Sequence, residues 1–225
     1  MRRGDESTGI GAGGWWGRAR QSMSAMTIIA ETPRLILRRF DATDLDALAA
    51  LMANPDVMRF SLGVYSREQS LSLLERLIAD NKANRPTLYA AMHRADEKLI
   101  GYCGFLRQKV GEKDELEIGY RFHPDYWNQG IATEAAMAVR DYGFDRLRLD
   151  HLVSFIHLDN HASRRVAEKN GMQLETEITF RGFPTQVFGI SRTVQTRNQN
   201  AMGSADRHRN RGERARNPGV SSDPR

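Results

Sequence analysis

At 225 residues the chain has room for one domain of ordinary size plus tails. Its single cysteine, Cys103, rules out an internal disulfide and points to a reducing compartment, and no run approaches the roughly eighteen apolar residues of a membrane span. The formal charge of +5 invites a nucleic-acid reading, but residues 1–26 and 193–225 together hold 11 basic against 5 acidic side chains, while residues 27–192 hold 22 against 23.

Residues 1–26 are rich in Gly and Ser, with Trp15 and Trp16 their one bulky pair, and read as a disordered tail. Arg2 and Arg3 precede no apolar core, so a signal peptide is not expected, and Met23 and Met26 offer alternative starts. Residues 34–40 predict a first strand after Thr32-Pro33. Residues 41–53 carry the acidic first turns and the stripe of Leu45, Leu48, Leu51 and Met52 that predict a helix, ended by Asn54-Pro55. Ser66-Arg-Glu-Gln69 is a capping box that opens a second helix, with Leu71, Leu74 and Ile78 on its apolar face. Between the two helices lie Met58, Phe60, Leu62, Val64 and Tyr65, readable as core or as the wall of a cleft. Residues 88–93 and 99–106 predict two strands joined through Ala95-Asp96-Glu97. Cys103 lies inside the second with no base beside it in sequence, so it reads as a buried small residue rather than a nucleophile.

Residues 115–122 alternate Leu116, Ile118, Tyr120 and Phe122 with polar or small residues, the period of a half-buried strand. Pro124, which has no N–H to donate, ends it. From Gly130 a helical pattern runs to about Phe144, with Glu134, Arg140 and Asp141 assigned to its wet face. A glycine at such a junction lets the backbone approach a ligand, and the orphan N–H groups of the first helical turn favour an anion. A plain strand–loop–helix connection would show the same pattern. Neither Gly-x-Gly-x-x-Gly nor Gly-Lys-Ser/Thr occurs, so this is not a dinucleotide fingerprint or a P-loop. Residues 149–156 predict the next strand, parallel to the one before if the helix is a right-handed crossover. Asp159-Asn160 opens a short helix with Ala162 and Val166 inward, and Asn170-Gly171 closes it. Strands over 174–181 and 186–191 follow, and residues 193–225 read as a solvated Arg-rich tail.

The run Tyr126-Trp-Asn-Gln-Gly-Ile-Ala-Thr-Glu-Ala135 resembles the acetyl-CoA pyrophosphate loop of the GNAT N-acetyltransferases. Gly130 and Ala132 fit the general motif Gln/Arg-x-x-Gly-x-Gly/Ala. Trp127 stands at the Gln/Arg position, as is usual in the branch that includes the RimJ/RimL-type acetyltransferases of ribosomal-protein N-termini. Glu31-Thr-Pro-Arg-Leu-Ile-Leu-Arg38 resembles the opening strand of that branch. Asn160-His-Ala-Ser163, with Glu168-Lys-Asn-Gly-Met172 after it, is similar to a second family signature. The resemblance implies an α/β GNAT fold over residues 27–192: a mixed, mostly antiparallel sheet of about seven strands, four flanking helices and a V-shaped splay between the fourth and fifth strands.

It also implies acetyl-CoA as co-substrate and direct acetyl transfer, in a ternary complex, to a primary amine: a protein N-terminus or a small amine. Backbone groups of Tyr120 and Phe122 would hold the pantetheine arm and steady the thioester oxygen. The N–H groups of Asn128, Gln129, Gly130, Ile131, Ala132 and Thr133 would receive the pyrophosphate without a lysine clamp. The Asn160 amide would touch the cofactor arm, and Ser163 would protonate the leaving thiolate. Taken alone, Asn160 is an N-cap and Ser163 an ordinary first-turn residue. Glu117 is the candidate base through a water, or simply a strand carboxylate, with His157 and His161 as alternatives by type. No grouping has metal-ligand spacing, so no metal is expected. The expected setting is cytoplasmic, without a membrane partner, and a homodimer is compatible with it. Two rival readings are a non-catalytic acyl-CoA sensor on the same fold and an RNA-associated protein using its Arg-rich tail, which has no aromatics for stacking.

Overall fold

The structure, a computed structural model, describes residues 27–110 and 112–193; the expectations for both tails fall outside it, save Thr193. In chain order the elements are β1 (Ile28–Glu31), β2 (Leu35–Arg38), a 3-10 turn (Ala42–Asp44), α1 (Leu45–Ala53) and α2 (Arg67–Lys82). Then come β3 (Leu88–His93), β4 (Lys98–Val110), β5 (Lys113–Phe122), a 3-10 turn (Pro124–Tyr126) and α3 (Ile131–Asp145). The chain closes with β6 (His151–His157), α4 (His161–Lys169), β7 (Gln173–Phe180) and β8 (Phe183–Ser191). The strands form one mixed sheet in the order β1-β2-β3-β4-β5-β6-β8-β7. Contacts divide the chain into two compact units: the residues through Leu106 with Ile118–Tyr142, and Arg107–Glu117 with the residues from Gly143 onward.

In the first unit, α1 and α2 bury Leu48, Leu51, Met52, Leu73, Leu74 and Leu77 against Phe40, Leu88, Ala90 and Tyr102. A leucine taken from water in this way contributes about 1.5–3 kcal/mol. The capping box at Ser66 is formed in both directions: Ser66 Oγ accepts the Gln69 N–H at 3.2 Å, and Gln69 Oε1 accepts the Ser66 N–H at 2.7 Å. Ahead of α1, buried Arg38 donates two hydrogen bonds to Asp44, at 2.7 and 2.6 Å. Burial opposes that guanidinium charge, but the Asp44 hydrogen bond and charge, with Asp41 farther off, outweigh it and hold its pKa above the usual value.

The second unit packs Leu152, Val153 and Ile156 of β6 with Val187, Phe188 and Ile190 of β8, and buries Ala167 and Met172. β6 pairs with β8 antiparallel from His151↔Ser191 to His157↔Thr185. With β5 it pairs in parallel at the single register Glu117↔Val153.

Four expectations need correction. The sheet has eight strands rather than about seven, because β1 is a four-residue edge strand too short to show a period, with Ile28 39% exposed. β4 continues to Val110, carried past Leu106 by strand pairing and not by burial. The helix expected over 41–53 is broken into a 3-10 turn and α1, because Asp41 and Asp44 close a capping box before Leu45. On α2, Leu74 and Ile78 face the core as expected, together with Leu73 and Leu77, while Leu71 is 40% exposed.

Candidate active site

β5 ends at Phe122, and the next N–H, that of His123, pairs with the Ile100 carbonyl at 2.8 Å. The chain then folds back on itself. The N–H groups of Tyr126 and Trp127 donate to the carbonyls of His123 and Pro124 at 3.0 Å, and the Trp127 indole N–H donates to the Phe122 carbonyl at 2.7 Å. Asn128 and Gly130 both have left-handed backbone, with φ of 59° and 79°. Asn tolerates that conformation because its short polar side chain can bond locally, and Gly because it has no Cβ. The Gly130 carbonyl accepts the N–H of Glu134 at 3.0 Å, so Gly130 is the N-cap of α3. Among the described residues the N–H groups from Asn128 to Thr133 find no acceptor, which leaves a run of main-chain donors at the positive end of a 15-residue helix.

A second set of contacts fixes this loop from outside. The Arg34 Nε–H donates to Glu134 Oε2 at 2.6 Å, and its Nη1–H donates to the Gln129 carbonyl at 2.7 Å. The other Glu134 oxygen accepts the Thr32 hydroxyl at 2.6 Å and the Arg34 N–H at 2.9 Å. Burial alone would raise the Glu134 pKa, but the bonds from Thr32 and Arg34 outweigh it and hold the carboxylate below its usual range. The expected wet face of α3 therefore holds only for Asp141, whose side chain is 43% exposed, and fails for Glu134 and Arg140. The Glu134 side chain is only 16% exposed and ion-paired, Arg140 is buried, and Asp141 accepts from Arg140 at 2.8 and 2.9 Å.

Tyr120 is half-buried and Phe122 buried, their ring centroids 6.4 Å apart. Between them in sequence, Arg121 donates to the Tyr102 hydroxyl at 2.6 Å and to Ser61 Oγ, anchoring the α1–α2 connection. That connection is mixed. Met58 is core and Tyr65 half-buried, whereas Phe60, Leu62 and Val64 are exposed.

In the second unit Glu117 is half-buried, and its Oε2 accepts from Gln108 Nε2 at 2.6 Å. Asn160 Oδ1 accepts the Ser163 N–H at 3.1 Å, so Asn160 caps α4 and Ser163 lies in its first turn. His161 is exposed, and His157 Nδ1 accepts the Asp159 N–H at 3.1 Å. Cys103 is fully buried, and that burial pushes its thiol far above the usual range, so no thiolate forms at neutral pH. Among the described residues no group of three His, Cys, Asp or Glu side chains could hold a metal, and no helix is long and apolar enough to cross a membrane. The first unit thus gathers Tyr120, Phe122 and the loop, and the second holds Glu117, Asn160 and Ser163. Thr32, Arg34 and Gln108 were given no role from sequence, and Glu134 only a place on a wet face; the available signal was that Thr32-Pro-Arg34 and Thr133-Glu134 fall inside the two quoted motifs.

A mixed sheet thus leads from its central strand into a run of amides at the start of α3, an arrangement that favours an anion. The acetyltransferase (GNAT) domain family matches residues 34–173, and the chain belongs to that family. The N-acetyltransferase YoaA of Bacillus subtilis, itself uncharacterized, is 35% identical over 151 residues, 65% of this chain and 84% of that protein. A GNAT-family acetyltransferase from Bacillus anthracis superposes with a TM-score of 0.63 at 26% identity, covering 72% of this chain and 98% of its own. RimL, the ribosomal L7/L12 alpha-N-protein acetyltransferase in complex with coenzyme A, gives a TM-score of 0.63 at 22% identity over 73% of this chain and 97% of its own. As a GNAT acetyltransferase the chain draws its acetyl group from acetyl-CoA.

Proposed function

We propose that this protein acetylates a primary amine in a ternary complex with acetyl-CoA, with a protein N-terminus the favoured acceptor and a small amine the second. The observation that carries the reading is the run of main-chain N–H groups from Asn128 to Thr133, left without protein acceptors at the start of α3. Six donors and a helix dipole suit a diphosphate, and Gly130 presents no side chain to block it. When bound, the co-substrate supplies the thioester. The chain's own residues do the rest. Backbone groups of Tyr120 and Phe122 hold the arm; the Phe122 carbonyl already accepts the Trp127 indole, which fixes its plane. The side chain of Asn160 spends its oxygen on the α4 cap, leaving the amide N–H groups for the arm. Glu117 takes a proton from the acceptor ammonium through a water, freeing the lone pair that forms the new N–C bond. As the C–S bond breaks, the Ser163 hydroxyl would give its proton to the sulfur and take in exchange the proton that the nitrogen sheds as the amide forms. The preference for a protein N-terminus rests on likeness to the RimJ/RimL-type loop and to RimL.

Calorimetry with acetyl-CoA, followed by thiol release over a panel of N-terminal peptides and small amines, tests the reading. Binding with turnover on one class names the acceptor. Binding without turnover on any amine favours a non-catalytic acyl-CoA sensor, and absence of binding ends the proposal.

A further inference from the structure

Arg34 and Glu134 are 100 residues apart in sequence and joined through the Arg34 main-chain N–H and the guanidinium Nε–H. One arm of the guanidinium fork grips the Glu134 carboxylate, and the other grips a main-chain oxygen, the carbonyl of Gln129. The peptide between Gln129 and Gly130 is trans, so its N–H points opposite to its C=O. Holding the carbonyl on the Arg34 side therefore turns the Gly130 N–H to the other side, where the loop is open. The same contact neutralises Glu134, whose carboxylate, in the first turn of α3, would otherwise repel an anion at that helix end. Thr32 completes the arrangement by bonding the second carboxylate oxygen at 2.6 Å.

We propose that Thr32, Arg34 and Glu134 form a clamp that positions the amide cradle: Arg34 sets the Gln129–Gly130 peptide and cancels the Glu134 charge, so that the loop meets a diphosphate already in its binding shape. The proposal rests on the acetyl-CoA reading above. Arg34 is a positioning residue, acting through the backbone without touching the co-substrate. Its chemistry also explains the choice of arginine: a lysine carries its three N–H donors on one compact nitrogen and lacks the planar fork that spans carboxylate and carbonyl.

The test measures CoA binding by calorimetry on the full chain, with kcat and KM for acetyl-CoA once an acceptor is in hand. Arg34→Ala is expected to weaken CoA binding at least tenfold and raise KM, with kcat at saturation changed less than threefold. Arg34→Lys should recover part of the affinity. Adding Glu134→Gln to Arg34→Ala should also recover part, by removing the uncompensated charge. If Arg34→Ala does not fold, the lysine variant alone decides the matter. Unchanged CoA affinity in either Arg34 variant overturns this inference while leaving the acetyl-CoA reading standing. A fall in kcat with unchanged KM overturns it too. A wild-type chain that binds no CoA overturns both.

Discussion

Arg34 Nε lies 2.6 Å from Glu134 Oε2, an ion pair that ties the turn between β1 and β2 to the first turn of α3. With the Thr32 hydroxyl and the Arg34 N–H on its other oxygen, the carboxylate accepts three bonds, one of them the ionic contact with the guanidinium. The positioning proposed for the amide cradle depends on that corner keeping its shape.

The first prediction follows from its charge. Glu134 has a folded-state pKa below its unfolded value, so between the two the unfolded chain binds more protons and stability rises with pH. The contribution is fully present above the unfolded value of about 4.3 and is lost as pH falls through the folded one. Thermal melts of the wild type and Glu134→Gln should converge as pH drops from about 6 to about 3. Melts that stay a constant distance apart would remove the carboxylate charge as the source of stability.

Gly130 carries the second. A Cβ there would meet nothing nearer than Arg34 Nη2 at 3.5 Å, so the site has room for a side chain. The cost is conformational, about 1–2 kcal/mol for an L-residue held left-handed. Gly130→Asn, whose short polar side chain lowers that cost, should therefore fold closer to wild-type stability than Gly130→Glu. Gly130→Glu should fold less well and also lose CoA binding, because it sets a carboxylate against the phosphates. Calorimetry showing wild-type affinity in the glutamate variant would contradict the placement of the diphosphate.

For Glu117 the readout is kinetic. A general base works only when deprotonated, so kcat/KM should fall on the acid side as this carboxylate gains its proton. Glu117→Gln should lower the rate by roughly 10²-fold or more and abolish that limb. A profile of unaltered shape clears Glu117 and moves attention to His157 and His161.

Ser163→Ala separates acid catalysis from architecture. The bond that closes the α4 cap uses the Ser163 N–H and not its hydroxyl, so the helix start survives the change. Turnover should drop by roughly tenfold to 10²-fold with CoA affinity nearly unchanged. Wild-type turnover would leave the thiolate to be protonated by another group or by water.

Much of the frame was legible in the sequence, and the reasons are local. Leu116, Ile118, Tyr120 and Phe122 alternate because one strand has two faces, and Pro124 must end it; β5 spans Lys113–Phe122. Ser66 and Gln69 cap α2 because both partners of the box lie within one turn. Gly130 was identifiable because a left-handed N-cap has few tolerable occupants. The misses share a different cause. A helical wheel places Glu134 on the solvent side of α3, and only a strand turn 100 positions earlier, folded against it, makes it half-buried. Leu71 and Leu73 are equally apolar, so composition could not say which of them α2 turns inward. Gln108 lies on the stretch of β4 beyond the reach of the core signal, and its bond to Glu117 depends on strand pairing alone.

The last prediction concerns Asp44, which no functional argument touches. Its side chain is 5% exposed and receives both arms of Arg38, itself 4% exposed, and the Asp41 N–H at 3.0 Å. Asp44→Ala would leave a buried guanidinium with no counter-charge and break the capping box that starts the turn before α1. Removing one partner of a buried pair costs about 3–5 kcal/mol, a large share of a typical domain's 5–15 kcal/mol. The double variant Arg38→Met with Asp44→Leu removes both charges together, so its loss should be much smaller, and a gain is within the usual range for such replacements. Urea unfolding monitored by tryptophan fluorescence and circular dichroism measures both. If Asp44→Ala loses less than about 1 kcal/mol, the pair is solvated in solution and the burial of Arg38 is not what holds this corner together.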